Sequence, residues 1–187
     1  MAQFALPTSD TFVLGWAEGA GDGDANHWDE LDEGFGAGRG SGSGPDDATT
    51  YWVNTGTKGS PFPLRNGLSS VTDPVGNTGH FIRSDCRKSA SGGRQIDLTI
   101  KLYDPSTERA AETFVNVDDV WTAQTHTLTT GEADSIGAYG SLRMETYGTE
   151  VGGGGPRNPE CSAHEFECPD APGGGGGFAH SQGVIVG

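Results

Sequence analysis

At 187 residues with a formal charge of −15, from 26 acidic and 11 basic side chains, the chain fits a single domain. It lacks the Lys/Arg footprint that nucleic acid or an anionic membrane surface demands. Only 33% of residues are apolar while 32 are glycine, which excludes a large helical interior and favours a modest core wrapped in turns.

Taken in chain order, Met1–Asp10 has neither a cationic start nor an apolar run, and no stretch approaches a membrane span of roughly 18 residues. The expectation is a product made in the cytoplasm without a signal peptide. Thr11–Trp16 (TFVLGW) is β-branched and aromatic and predicts the first strand. In HWDELDE, Trp28 and Leu31 stand three apart and predict one helical turn pressed onto a sheet. Residues 34–45 are a low-complexity, flexible insert.

Tyr51–Asn54 and Phe62–Val71 are the next candidate strands. Gln95–Tyr103 (QIDLTIKLY) carries the clearest signal: Ile96, Leu98, Ile100 and Leu102 point one way, and Asp97, Thr99 and Lys101 the other. With the SASGG turn before it, this strand and Gly79–Lys88 predict an antiparallel hairpin. DPST makes a turn into a strand over 108–117, giving a second hairpin. Trp121–Leu128 alternates; Thr129 and Glu132 have capping-box spacing for a single turn docked by Ile136. Leu142–Thr149 and Glu160–Cys168 complete the set.

Eight to nine short strands with one or two single-turn helices define an all-β, two-sheet antiparallel jelly-roll sandwich. It would occupy residues 1–168, with 169–187 a glycine-rich tail in which Phe178, Val184, Ile185 and Val186 are candidates for docking on a neighbouring subunit.

Asp22, Asp24, Asn26, Glu30 and Glu33 match alternate oxygen positions of an EF-hand loop and suggest Ca²⁺, yet His27 stands where the loop wants glycine. A solvated acidic loop is the plainer reading. Three cysteines leave at least one thiol unpaired within the chain. Cys86 reads as a small buried residue. Cys161 and Cys168 allow a disulfide, or metal ligation with His164, only if a bend separates them; two free thiols are the simpler expectation. No nucleophile elbow, phosphate loop or zinc face occurs, and no spacing selects a pair of catalytic carboxylates. Trp16, Trp28 and Trp121 read as core anchors. Tyr51, Trp52, Tyr139 and Tyr147 are candidates for stacking on sugar rings.

Six segments, WDELDE, DDATTYW, LSSVTDPVGNTGHFIRSDCRK, IDLTIKLYD, THTLTTGEADSI and ECPDAP, occur between Trp28 and Pro172. Their order and spacing resemble a family of structural proteins from tailed phages and related viruses. The resemblance implies a non-enzymatic jelly-roll module on the virion surface, as a head decoration, turret, fibre or minor tail protein. Its partners would be other virion proteins, the major capsid protein or a neighbouring copy of itself, and the alternative is a carbohydrate-binding or receptor-binding module that engages host-surface glycans.

Overall fold

The structure, a computed structural model, describes residues 2–21, 23, 26–35, 49–59 and 62–172. Eleven strands and one helical turn occur among them: β1 (Ala2–Ala5), β2 (Pro7–Val13), β3 (Trp16–Ala20), β4 (Tyr51–Asn54), β5 (Leu64–Leu68), β6 (Phe81–Lys88), β7 (Gln95–Asp104), β8 (Thr107–Phe114), β9 (Thr122–Thr127), α1 (Thr130–Asp134), β10 (Arg143–Val151) and β11 (Pro159–Pro169). They form two antiparallel sheets packed as a sandwich. The six-stranded sheet runs β3-β4-β11-β6-β9 with β1 also on β11; the five-stranded sheet runs β2-β5-β10-β7-β8.

The alternation read in β7 holds throughout: Ile96, Leu98, Ile100 and Leu102 are fully buried. They meet Ile82, Cys86, Phe166 and Trp52 from the other sheet in one cluster. The turn at Pro105 does make a hairpin, with Asp104 opposite Thr107. The capping box also forms: Glu132 N donates to Thr129 Oγ1 at 3.2 Å and Thr129 N to Glu132 Oε2 at 2.7 Å.

Three expectations are corrected. Gly79–Lys88 and Gln95–Tyr103 are not a hairpin. β6 pairs with β11 and β9 while β7 pairs with β10 and β8, so the SASGG turn carries the chain from one sheet to the other. The N-terminal region holds three strands rather than one: the chain passes from one sheet to the other at Leu6, between β1 and β2, and turns again between β2 and β3 at Gly15 (φ +77°), a left-handed conformation that suits glycine. WDELDE forms no helix. Leu31 N donates to Trp28 O in a single turn, and Leu31 O then accepts from His164 N at 3.1 Å. That edge of β11 is shared by β4 at Glu160 and Cys161 and by β1 from Phe166 onward. The acidic segment therefore fills the gap between two short strands along one long one.

Candidate functional site

The interior and the surfaces divide the polar residues sharply. Inside, His164 is fully buried on β11. Its Nε2 lies 2.7 Å from Thr146 Oγ1 on β10 and its Nδ1 3.1 Å from Asn66 Oδ1 on β5. Asn66 Nδ2 donates to Asp10 Oδ1 at 2.9 Å, so the amide oxygen faces the imidazole and assigns the proton to Nδ1. Asp10 Oδ2 accepts from the His27 backbone at 2.7 Å, and the His27 ring stacks on Trp52 with centroids 3.6 Å apart. The network ties both sheets to the acidic segment. Burial pushes the His164 pKa down to about 3, so the ring is neutral.

Cys86 and Cys161 stand directly opposite on β6 and β11, with Cα atoms 4.3 Å apart, and form a disulfide. The Cys161–Cys168 pairing is thereby overturned: β11 is one continuous strand, and seven residues along it separate these cysteines by roughly 23 Å. Nor do the two share a metal with His164, whose ring nitrogens are held by Thr146 and Asn66. Cys168 is a free, buried thiol, and burial pushes its pKa up to about 12.

Of the proposed calcium ligands, Asp22 and Asp24 lie outside the described residues, as do Phe178, Val184, Ile185 and Val186 of the tail. Asn26 is exposed, whereas Glu30 and Glu33 are buried. Glu30 faces Glu18 beside Gly21, and Glu33 accepts from the Thr50 hydroxyl at 3.4 Å. Among the described residues no group of three or more acidic, His or Cys side chains is placed to hold a metal ion.

The four aromatic candidates separate. Trp52 and Tyr139 are 2% and 7% exposed and belong to the core, which removes them as stacking surfaces. Inward placement explains both: Trp52 sits opposite Cys161 with its ring on His27, and the Tyr139 hydroxyl meets buried His80 Nε2 at 2.8 Å. Tyr51 and Tyr147 are half-buried and lie on opposite outer faces of the sandwich.

On the six-stranded sheet, Tyr51 meets Trp121 edge-on at 5.5 Å, and Arg87 lies 4.4 Å from the centre of the Trp121 ring while donating to Glu160 at 2.6 Å. Trp121 is thus a surface ring rather than a core anchor, and Trp28 too is only half-buried. Tyr51 lies so close over Gly19 that a Cβ there would stand 2.1 Å from its ring. These rings are engaged with one another.

The outer face of the five-stranded sheet is built differently. Register places Arg65, Glu145 and Lys101 side by side across β5, β10 and β7, and Gly67, Arg143 and Tyr103 side by side in the next outward row. Tyr147 follows on β10 opposite Thr99. Glu145, 2% exposed, pairs with the Arg65 guanidinium, whose Nε donates at 2.8 Å, and Arg65 lies 4.5 Å over the Tyr103 ring. Lys101 Nζ donates to Glu108 at 2.8 Å and lies 5.7 Å from the Tyr147 ring centre. Burial, with Glu145 nearby, raises the Tyr103 phenol. Burial would lower the Lys101 ammonium, but the Glu108 hydrogen bond and the neighbouring tyrosines raise it. Both tyrosines are held by cations, four residues along the strands and one strand apart, roughly 14 Å between Cα atoms by ordinary strand geometry. Sequence reasoning missed Tyr103, although the period-two pattern of QIDLTIKLY puts it on the face of Asp97, Thr99 and Lys101.

No protein-family model and no curated protein sequence matches the chain. Among solved structures, it is similar to a carbohydrate-binding module described as CBM4, at TM-score 0.40 and 15% identity over 63% of this chain and 70% of that one. It is also similar to TmCBM61 in complex with β-1,4-galactotriose, at TM-score 0.34 and 10% identity over 75% of this chain and 67% of that one.

Proposed function

We propose that this chain is a non-catalytic glycan-binding β-sandwich whose binding surface is the outer face of the five-stranded sheet. One observation carries the reading: Tyr103 and Tyr147 sit on one sheet face, each fixed by a cation, at a separation suited to an oligosaccharide rather than to a single sugar. A tyrosine ring offers an apolar face to the C–H face of a pyranose, and the polar side chains between the two rings offer hydrogen bonds to hydroxyls. Ion pairs and cation–π contacts order these side chains before any ligand arrives, which lowers the entropy lost on binding.

The non-catalytic part rests on the buried acids. Glu145, Glu160 and Glu165 are ion-paired with Arg65, Arg87 and Arg83, an arrangement that suits structure better than general acid–base work. The virus-particle setting rests on the resemblance of the six sequence segments. On a particle, the same face would meet host-surface glycans.

Affinity electrophoresis of the folded protein through gels containing a panel of polysaccharides tests the proposal. Retardation by at least one polymer, weakened about tenfold in Tyr147→Ala, is expected. Unaltered migration in every gel would sink it.

A further inference from the structure

The cations on this face are not equally occupied. Arg65 is paired with Glu145, and Lys101 with Glu108. Arg143 is half-buried on the same face and directly opposite Tyr103, and its guanidinium has no ion-pair or hydrogen-bond partner among the described residues. Arginine is the side chain whose planar fork matches a carboxylate with two parallel hydrogen bonds.

The face is polarised. The opposing carboxylate on β7, Asp97, is six residues from Tyr103, roughly 20 Å along the strand, and already accepts from Asn116 N. Nearer to Tyr103, Glu145 accepts from its hydroxyl at 3.4 Å and Glu108 stands opposite it on β8, but these two are ion-paired with Arg65 and Lys101. With Asp97 beyond the Debye length of roughly 8 Å at physiological ionic strength, Arg143 is the cation beside Tyr103 that no carboxylate neutralises among the described residues. The −15 charge of the whole chain repels a dense polyanion. It repels an isolated carboxylate among neutral sugars far less, because screening removes the distant charges and leaves the contact pair.

Resting on the glycan-binding reading, we propose that the sheet face selects a polysaccharide bearing scattered uronic-acid units, with Arg143 gripping the carboxylate of a sugar stacked on Tyr103. Tyr103 keeps its place through Arg65, which covers one side of its ring. Arg143 then supplies the specificity and the tyrosines supply the platform.

The test compares glucuronoxylan with the same polymer after chemical reduction of its carboxyl groups, by titration calorimetry on the full chain. The native polymer is expected to bind roughly tenfold or more tightly than the reduced one, and Arg143→Gln should abolish that preference, so that the two polymers bind this variant equally. Arg143→Lys, which keeps the charge but loses the fork, should keep only part of it. Equal binding of both polymers, or a preference that survives in Arg143→Gln, overturns the uronate assignment and leaves glycan binding standing. Binding of neither polymer overturns the uronate assignment; the polysaccharide panel above then decides separately whether glycan binding stands. Thermal melting of each variant shows that the sandwich is intact.

Discussion

Lowering the pH from 7 to 5 should destabilise this protein chiefly through one fully buried side chain. His164 has a folded pKa near 3 because burial disfavours its charged form, whereas an unfolded histidine titrates near 6.5. As pH falls, the unfolded chain takes up the proton first and the native state does not. His164's contribution is therefore complete above about 6.5 and is lost progressively down to about 3. Between pH 7 and 5 the loss is about 2 kcal/mol, equivalent to a urea midpoint shift of about 1 M for a slope near 2 kcal/mol/M. Burial also lowers the pKa of His80 and adds in the same direction. Partial burial raises Glu132 and Glu150, but hydrogen bonds from the Thr129 and Arg157 backbones bring both below the ordinary value, so their contributions are lost only at lower pH. Urea unfolding of wild type and His164→Gln at both pH values is the assay. The substitution removes the titration and should flatten the pH dependence by about 2 kcal/mol. A wild type equally stable at pH 7 and 5, or a variant that keeps the whole dependence, would refute the reasoning.

Other perturbations test the frame of the sandwich. Replacing both Cys86 and Cys161 by Ser opens a crosslink spanning 75 residues, and by loop-closure entropy should cost about 4 kcal/mol in denaturant unfolding, with dithiothreitol acting similarly on the wild type. Gly19→Ala would drive a Cβ into the Tyr51 ring; a loss of about 1–3 kcal/mol with an altered near-ultraviolet signal is expected, and an unchanged spectrum would contradict the close approach. Thr129→Ala removes the capping box and should lower stability by about 1 kcal/mol, seen as a drop of about 2–4 °C in melting temperature.

Much of the fold was legible because strands that bury one face write that fact with period two, as β7 does, and because the Pro105 turn and the Thr129 capping box have local chemistry. Pairing was not legible in the same way. Gly79–Lys88 and Gln95–Tyr103 are neighbours in sequence separated by turn residues, the pattern of a hairpin, and yet in a two-sheet sandwich the same turn passes the chain between layers. The disulfide escaped because Cys86 looks like any small core residue until register sets it opposite Cys161. Trp121 and Trp52 exchanged roles for a related reason. Trp52 lies within β4 and Trp121 just before β9, both short segments, and only the face each presents to the core decides which ring is buried. The candidate site was half legible: Tyr147 is legible as a ring on β10, and Arg143 shares its face four residues earlier on the same strand, while Tyr103 joins them only through the pairing of β7 with β10.

The most direct test of the central claim is calorimetric titration of the wild-type chain and the Tyr103→Ala/Tyr147→Ala double variant with the polysaccharide retarding the protein most strongly. Saturable binding by the wild type, lost in a double variant that melts normally while Trp121→Ala still binds, is the predicted result. Binding that survives removal of both tyrosines, or that depends on Trp121 instead, would contradict the assignment of the five-stranded face.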